Sequence, residues 1–462
     1  MREGGKTILL VHPEISRTKY NFVGIIENEC LELEYLSAAL KAAGHQVVLF
    51  DRQVDHGSMA GALKKAEPDV VYICGRSRQE NFIKEYCREA KAFDARILTV
   101  AGGLHVQHSG DRMYEPYIDL LLITFDIFVL CDVIAEWFAG TEGGKKTDLS
   151  RFDGICWKQD GDWIRQEAAP FDINQLPLPD RTYFYEHPRN YRYLELEHIA
   201  HVRTAYCCPY TCRFCYRNRL NSGVYVRREM TAVVNEIKQI ASDHIYLVDD
   251  DFLYDRNRLL EFIGLIRQEG IQKRYICYGR ADFIVHNRDI MQQLKEIGFY
   301  YVLVGLEAVG DRRLQNYNKK SDSNHNTECV RILNEIGIHT MGMFIIDLDF
   351  KAGEFKELYR WIKRNRLRHA ALSIFVPEFG LDTYEEYRDR LITDNPSHWD
   401  YLHVVATPFH LSTRRFYFYY YCLVIRLLLK AKREGVYDFV DYGEYIRSFM
   451  KNIFVRRSRD DE

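Results

Sequence analysis

Short apolar runs alternate with amphipathic stretches along the first third of the chain. Five runs have the length and composition of buried strands: Thr7–Val11, Gln46–Phe50, Val70–Cys74, Arg96–Ala101 and Leu120–Ile123. Between the first two, Leu33, Leu36 and Leu40 recur at the spacing of a helix with one buried face. Strands that alternate with helices form a parallel, doubly wound α/β sheet. We therefore predict a Rossmann-like domain over residues 1–150.

The alternation breaks between residues 151 and 197. Ile155–Lys158 and Trp163–Gln166 flank four polar or glycine residues, which is typical of a β-hairpin. Leu176–Arg181 reads Leu-Pro-Leu-Pro-Asp-Arg, and each proline keeps the residue before it out of helical geometry. We therefore predict a hairpin and an extended linker, with the domain boundary in this segment.

The alternation resumes over residues 198–380 with six strand-like runs: His198–Thr204, Ile245–Val248, Tyr275–Tyr278, Tyr301–Leu306, Met341–Ile346 and Leu372–Val376. Six β/α units predict a partial (β/α)6 barrel, whose functional residues would lie at the carboxyl ends of the strands. Residues 381–462 are predicted to form a helical region, with an aromatic run over Phe416–Tyr421.

Charge and hydropathy exclude several classes of protein. Lysine plus arginine (63) nearly balances aspartate plus glutamate (66), so the chain gives no electrostatic reason to expect nucleic acid as a partner. Its apolar stretches are shorter than the ~18 residues of a membrane span, and the first residues lack the pattern of a signal peptide. We therefore expect a cytoplasmic protein without a transmembrane segment.

Three of the twelve cysteines are closely spaced, whereas the other nine are scattered and typical of small buried side chains. Cys208, Cys212 and Cys215 lie in the segment that follows the first predicted barrel strand. Three thiolates on a four-iron cluster would leave one iron free to bind a small molecule. The alternative is a structural zinc site, for which Cys207 would be the fourth ligand.

The pattern Cys-x-x-x-Cys-x-aromatic-Cys, with Phe214 as the aromatic residue, resembles the radical S-adenosylmethionine (SAM) superfamily. The resemblance implies a 4Fe–4S cluster whose free iron binds the amino and carboxylate groups of SAM. It implies that the reduced cluster cleaves SAM to a 5′-deoxyadenosyl radical, and that a flavodoxin- or ferredoxin-type donor supplies the electron.

Further segments resemble this superfamily at the ends of later strands. The resemblance implies that Asp249 and Asp250 contact the methionyl amino group, and that Arg280 reaches the polar end of SAM. Glu307 belongs to a glycine–acidic motif that the resemblance also assigns to SAM binding. The fifth and sixth strand ends depart from the usual glycine- and proline-rich patterns, so we expect an unusual substrate or pose.

A doubly wound domain ahead of such a barrel resembles the cobalamin-binding enzymes of the class B radical SAM methyltransferase-like family. The resemblance implies that Ser77, Gly102 and Gly103 lie against cobalamin, since glycine lets a corrin ring approach the backbone closely. The alternative is that small residues are usual at the strand ends of a doubly wound sheet. The motif that supplies a histidine ligand is missing after Asp51, so cobalamin is expected to bind without one, and His105 and His108 are interpreted as surface residues.

The sequence therefore predicts a methyltransferase that adds a methyl group to an unactivated carbon of a small-molecule substrate, using a 5′-deoxyadenosyl radical and methylcobalamin. One alternative keeps both cofactors in a cyclase, oxidase or ring-rearranging enzyme that transfers no methyl group. Another is a cobalamin-binding sensor with a structural iron–sulfur cluster. The aromatic C-terminal region indicates a lipid or polycyclic substrate or, alternatively, packing against the barrel. No catalytic residue is assigned.

Overall fold

Two sheets follow one another along the chain in the computed structural model, which describes residues 5–15, 26–142 and 147–439. The elements of the first part are β1 (Thr7–His12), β2 (Ile26–Glu27), α1 (Leu31–Ala42), β3 (Gln46–Asp51), α2 (Met59–Ala66), β4 (Val70–Cys74), α3 (Glu80–Phe93), β5 (Leu98–Gly102), α4 (Leu104–Ser109), β6 (Leu120–Leu122), α5 (Phe128–Glu142), β7 (Ile155–Gln159) and β8 (Asp162–Gln166). This order confirms the predicted doubly wound domain.

The first sheet has the strand order β3-β1-β4-β5-β6-β7-β8. Strands β1 and β3 to β6 are parallel, and β1 pairs with both β3 and β4. The chain order therefore reverses beside β1, which leaves a crevice at the carboxyl ends of β1 and β4, where doubly wound sheets bind ligands. The central strands are buried on both faces because helices cover each side.

The predicted hairpin is present, but it extends the first sheet instead of belonging to a separate linker. Strand β7 pairs antiparallel with β6, with Cys156 opposite Leu121, and β8 pairs with β7. The apolar side chains of β7 complete the core of the first domain. The segment that follows, up to Arg181, is extended apart from one short turn, as the prolines predicted.

The second part contains α6 (Thr182–Glu186), β9 (Arg192–Tyr193), β10 (Leu196–Glu197), β11 (Ile199–Val202), β12 (Ala205–Tyr206), β13 (Val226–Arg227), α7 (Met230–Gln239), β14 (His244–Leu247), α8 (Arg256–Gln268), β15 (Arg274–Gly279), α9 (Ala281–His286), α10 (Arg288–Glu296), β16 (Phe299–Glu307), α11 (Asp311–Asn316), α12 (Ser323–Ile336), β17 (His339–Ile346), α13 (Ala352–Arg364), β18 (His369–Ile374), α14 (Asp382–Tyr387) and α15 (Thr413–Arg433).

The second large sheet confirms the predicted partial barrel. Its six strands have the order β11-β14-β15-β16-β17-β18, and each neighbouring pair is parallel. One face packs against the surrounding helices, and the other carries a separate cluster of apolar and tyrosine side chains. Two smaller sheets join β2, β9 and β10, and β12 with β13.

The C-terminal region is only partly helical, which corrects the prediction of a helical region over 381–462. Residues 388–412 lack α-helix, contact both α3 and the end of the barrel, and include the buried Trp399. In α15, Phe416 and Tyr420 pack into the barrel core, so the aromatic run covers a barrel face. Residues 440–462 lie outside the described residues. No helix in the described ranges is long and apolar enough to cross a membrane.

Candidate cluster and cofactor site

The three closely spaced cysteines lie on the loop after β12, at the carboxyl edge of the partial barrel. This loop is tied to the segment after α11, where the Asn318 side chain donates to the Thr211 carbonyl (2.9 Å) and the Tyr317 carbonyl accepts from the Arg213 amide (3.1 Å). The Phe214 ring packs edge-on against Tyr317, with ring centroids 5.2 Å apart. Cys208, Cys212 and Cys215 all remain partly exposed.

The cysteine loop does not form a closed zinc site. Within the described ranges, no three or more His, Cys, Asp or Glu side chains form a group that could hold a single metal ion. A four-iron cluster needs no such convergence, because each thiolate binds a different iron. The Cys207 thiol instead donates to the carbonyls of Cys208 (3.7 Å) and Asn218 (3.5 Å). The donor set therefore fits a cluster better than it fits zinc.

Cationic side chains surround the thiols. Burial raises the pKa of both Cys208 and Cys215 to about 12, and Arg217 opposes this shift at Cys215. Arg280 and Lys319 are close enough to Cys212 to interact with its charge. Metal ligation requires thiolates, so a bound cluster would bring negative charge that these cations offset.

Asp249 is buried, and both oxygens of its carboxylate already accept hydrogen bonds from the protein. Its Oδ1 accepts hydrogen bonds from the backbone amides of Thr204 (2.6 Å) and Ala205 (3.0 Å), and its Oδ2 accepts from the Thr204 hydroxyl. Asp249 therefore fixes the turn between β11 and the cysteine loop. The neighbouring Asp250 pairs through Oδ1 with Arg217 (2.9 Å), while its Oδ2 is buried without a partner in the described chain.

Asp251, which the sequence analysis did not single out, has the unoccupied carboxylate. Its side chain is 5% exposed, and neither oxygen has a hydrogen-bond partner among the described residues. Burial raises the pKa of Asp251 to about 7, although Arg280 and Lys319 oppose the shift. A buried carboxylate without hydrogen bonds is costly unless a donor from outside the chain satisfies it. The run of three aspartates was the available signal in the sequence.

Arg280 and Glu307 are buried in a charged network beneath the loop. Arg280 forms two hydrogen bonds to Asp282 (3.0 and 3.1 Å), donates to the Lys319 carbonyl, and lies 3.8 Å from the centre of the Tyr210 ring. Glu307 lies at a bulge in β16 and accepts from Lys319 Nζ (2.8 Å). The structure therefore brings both predicted residues to the cysteine loop, but with partners of their own.

The segments that follow the carboxyl ends of β4 and β5 in the first sheet face the cysteine loop. The Ser77 hydroxyl, just after β4, donates to Glu378 after β18 (3.4 Å). The His108 ring stacks on Tyr216, the residue after Cys215, with centroids 4.3 Å apart. The two domains therefore meet beside the cysteines.

Neither histidine of α4 lies freely on the surface, which corrects their interpretation as surface residues. His108 is partly buried, and desolvation lowers the pKa of its ring to about 3, so the ring is neutral. His105 is fully buried and hydrogen-bonds to Glu80 (2.7 Å). Contacts with the barrel and with α3, which are distant in sequence, enclose these rings.

Gly102 and Gly103 are packed closely against neighbouring residues of the first domain. A side chain at Gly102 would collide with the Tyr72 hydroxyl. Gly103 has a φ of +89°, and a side chain there would come within 3.0 Å of the Gly75 backbone. A side chain at either position would therefore disturb the packing of the end of β5 against β4, and the predicted contact of these glycines with cobalamin stays a prediction.

Two family models match consecutive parts of the chain. A B12 binding domain model matches residues 29–124, and a radical SAM superfamily model matches residues 202–362. These ranges cover the switch-point crevice and the cysteine loop, respectively. The chain belongs to the radical SAM enzymes that carry a B12-binding domain.

Curated relatives of this radical SAM enzyme include proteins of two named activities. The chain is 25% identical to the hopanoid C-3 methylase of Methylococcus capsulatus, over 89% of this chain and 78% of that protein. It is 24% identical to the anaerobic magnesium-protoporphyrin IX monomethyl ester cyclase of Cereibacter sphaeroides, over 81% of this chain and 63% of that protein. The match thus spans less than two thirds of the cyclase.

Solved structures share the fold of this radical SAM enzyme. OxsB, a cobalamin-dependent SAM radical enzyme with aqua-cobalamin bound, matches with a TM-score of 0.64 at 19% identity, over 85% of this chain and 56% of OxsB. The methyltransferase TsrM from Kitasatospora setae matches with a TM-score of 0.66 at 16% identity, over 84% and 80% of the two chains. The radical SAM domain implies a 4Fe–4S cluster and SAM, and the B12-binding domain implies cobalamin.

Proposed function

We propose that this chain is a cobalamin-dependent radical SAM methylase that adds a methyl group to an unactivated carbon of a small molecule. The observation that carries the proposal is the contact between the two cofactor domains, in which His108 stacks on Tyr216 next to Cys215. A methylase of this kind needs both cofactor sites close to one substrate carbon. The similarity to the hopanoid methylase over most of both chains supports the same function.

We assign the cluster to Cys208, Cys212 and Cys215, with Phe214 holding the loop against Tyr317. Asp251 accepts hydrogen bonds from the amino group of SAM, because its two oxygens are buried and unoccupied within the described chain. When bound, the cluster with SAM supplies the radical that removes a hydrogen atom, and cobalamin supplies the methyl group. Arg280 and Lys319 offset the negative charge around Cys212.

The other predicted residues position these groups. Asp249 holds the start of the cysteine loop, and Asp250 orients Arg217. Glu307 fixes Lys319, while Ser77 joins the edge of the B12-binding domain to Glu378. Gly102 and Gly103 shape the end of β5 on the side where cobalamin binds. Cobalamin is proposed to bind without a histidine ligand, since His105 is buried against Glu80 and the His108 ring is stacked on Tyr216.

The inner face of the barrel favours a largely apolar substrate, such as a lipid or polycyclic molecule. This face is turned away from the helices and carries a cluster that includes Tyr246, Tyr278 and Met343. Aromatic and thioether side chains adapt to flat or irregular apolar ligands. A cytoplasmic location and reduction by a flavodoxin- or ferredoxin-type donor belong to the same proposal.

The second candidate is a cyclase or oxidase that uses both cofactors without transferring a methyl group. The similarity to the magnesium-protoporphyrin ester cyclase over 81% of this chain favours it. The named activities of the relatives described above are enzymatic, so they give no support to a sensor.

A substrate-free assay separates the two candidates. Reconstituted protein is incubated anaerobically with SAM labelled in its methyl group, hydroxocobalamin and titanium(III) citrate. A methylase transfers label to the corrinoid fraction and releases S-adenosylhomocysteine faster than a protein-free control. Release of 5′-deoxyadenosine without any labelled corrinoid would reject the methylase and favour the cyclase or oxidase.

A further inference from the structure

Four reactive side chains meet at the switch-point crevice of the first sheet, away from the cysteine loop. His12 ends β1, Asp51 ends β3, Cys74 ends β4, and Cys30 immediately precedes α1. The sulfur atoms of Cys30 and Cys74 are 4.0 Å apart. His12 Nδ1 lies 3.1 Å from Asp51 Oδ1. The proposed methylase assigns no chemical step to these side chains, although Cys30, Asp51 and Cys74 lie within the residues that the B12 binding domain model matches.

Cys30 occupies a position that favours a thiolate. It is the N-cap of α1, a helix of 12 residues, and its carbonyl accepts the backbone amide of Leu33 (3.0 Å). The partial positive charge at a helix N-terminus stabilises a neighbouring anion. Cys30 is also partly exposed, whereas Cys74 is buried. Cys30 is therefore the more exposed residue of the pair.

The surrounding groups lower the pKa of the Cys30 thiol and raise the pKa of the Cys74 thiol. A hydrogen bond with Cys74 and the charge of His12 lower the pKa of Cys30, although burial opposes them. Burial alone would lower the pKa of His12, but Cys30 and Asp51 raise it well above its usual value. The hydrogen bond with Cys30 and burial raise the pKa of Cys74. These shifts favour a thiolate on Cys30 beside an imidazolium on His12, and they favour the protonated thiol on Cys74.

Two other cysteines of the first domain show that burial alone raises the pKa of a thiol. Cys131 is partly exposed, like Cys30, but burial raises its pKa to about 11, and its thiol donates to the Ile127 carbonyl (3.8 Å). Cys87 is fully buried, and burial raises its pKa also. A low-pKa cysteine beside a second cysteine is the arrangement of thiols that exchange with disulfides.

We propose that Cys30 and Cys74 form a redox-active dithiol that reacts with small disulfides, with Cys30 as the attacking sulfur and Cys74 as the resolving sulfur. Cys30 attacks one sulfur of the small disulfide, whose S–S bond breaks, so that one thiolate leaves and a mixed disulfide remains on Cys30. Cys74 then gives its proton to the released thiolate and attacks the Cys30 sulfur, which expels the second thiolate. His12 supplies that thiolate with the proton taken from Cys30. Two cysteine thiols are thereby oxidised, and one disulfide is reduced to two thiols.

The structure describes the reduced form of this pair. A disulfide requires the sulfurs to approach to about 2.05 Å, so the side chains must close the remaining gap from 4.0 Å. Cys74 lies at the end of β4 and Cys30 at the N-cap of α1, so the crevice brings both sulfurs together from different elements. Asp51 orients His12 toward this reaction through the 3.1 Å contact.

The first test measures alkylation of each cysteine by mass spectrometry in the anaerobically purified, cluster-loaded protein at pH 7. Cys30 should react with iodoacetamide at least about tenfold faster than Cys131, because the thiolate is the nucleophile. His12→Gln should slow Cys30 by a similar factor and leave Cys131 unchanged. Equal rates at the two cysteines in the wild type would overturn the assignment of Cys30.

The second test uses oxidised glutathione as the small disulfide. Peptide mapping without reductant should find a Cys30–Cys74 cross-link in the wild type and a glutathione adduct on Cys30 in Cys74→Ser. Cys131→Ser is the matched control and should retain the cross-link. Unchanged iron content and circular dichroism would show that each variant is folded. A folded wild type that forms neither the cross-link nor an adduct on Cys30 overturns the proposal.

Discussion

The ring of His108 stacks on the ring of Tyr216, with centroids 4.3 Å apart and an interplanar angle of 19°. The first ring belongs to the B12-binding domain, and the second follows the last of the three closely spaced cysteines. The cysteine loop is therefore braced from the other domain as well as by its own barrel. This relationship leads to a direct prediction about the cluster.

Removing this brace should make the cluster more labile. We expect His108→Ala to lose iron to a chelator several-fold faster than the wild type, because Tyr216 loses a packed aromatic partner. Tyr114→Ala is the matched control, since Tyr114 stacks on Trp163 at 4.6 Å within the first domain only. Anaerobic iron release is followed by absorbance. Equal release rates for His108→Ala and the wild type would contradict the bracing role.

Asp251→Asn should weaken SAM binding while leaving the cluster in place. Loss of a hydrogen bond from the amino group of SAM to a charged carboxylate corresponds to a rise in Kd of about 10- to 100-fold. Calorimetry on reconstituted protein measures the Kd, and iron analysis checks the cluster. The control is Asp289→Asn, because Asp289 pairs with Arg256 on the surface (2.6 Å). An unchanged Kd for Asp251→Asn would remove Asp251 from the SAM site.

Arg181→Met should strongly destabilise the junction between the domains. Arg181 is buried, and it donates to Glu236 (2.8 Å), to the His201 carbonyl (2.6 Å) and to Glu29. Its removal leaves the buried Glu29 without its cationic partner and leaves Glu236 with Arg228 alone, and breaking a buried ion pair in this way typically costs about 3–5 kcal/mol of the free energy of unfolding. The measurement is the urea midpoint of unfolding. Arg96→Met breaks a fully exposed pair with Asp94 and should keep a near wild-type midpoint.

The contribution of Glu80 should depend on pH. Burial would raise the pKa of this carboxyl, but hydrogen bonds and charges from His105 and Arg112 lower it to about 2. Because the folded pKa lies below the unfolded value of about 4.3, the stabilisation is complete above pH ~4.3 and is lost as the pH falls toward 2.

Glu80→Gln tests this dependence. The variant should lose about 2–3 kcal/mol at pH 7, since Glu80 is buried and bonded to charged groups. The difference from the wild type should shrink when urea unfolding is repeated at lower pH. A difference that stays constant down to pH ~3 would contradict the assigned pKa.

The strands followed from local patterns, because a buried parallel strand is a short apolar run wherever it occurs. The hairpin was also visible locally, but its pairing with β6 was not, since Cys156 and Leu121 are brought together only by the fold. The same limit applies to Gly102, whose neighbour Tyr72 lies on another strand.

The candidate site was also predictable only in part from local sequence. The spacing of Cys208, Cys212 and Cys215 singled them out without any structure. Asp249 and Asp251 are identical side chains two positions apart, and only the backbone after β14 decides which one is bonded to Thr204 and which one is left without a partner. Sequence patterns therefore identify a run of such residues, and the folded backbone assigns their separate roles.

Metal and corrinoid content tests the central claim most directly. Protein purified anaerobically, and reconstituted with iron, sulfide and cobalamin, should contain about four irons and one corrinoid per chain. Replacing Cys208, Cys212 and Cys215 together by alanine should abolish iron binding but retain the corrinoid, whereas the control Cys422→Ala should retain both. Iron retained by the triple variant, or a folded wild type that binds no corrinoid, would contradict the account.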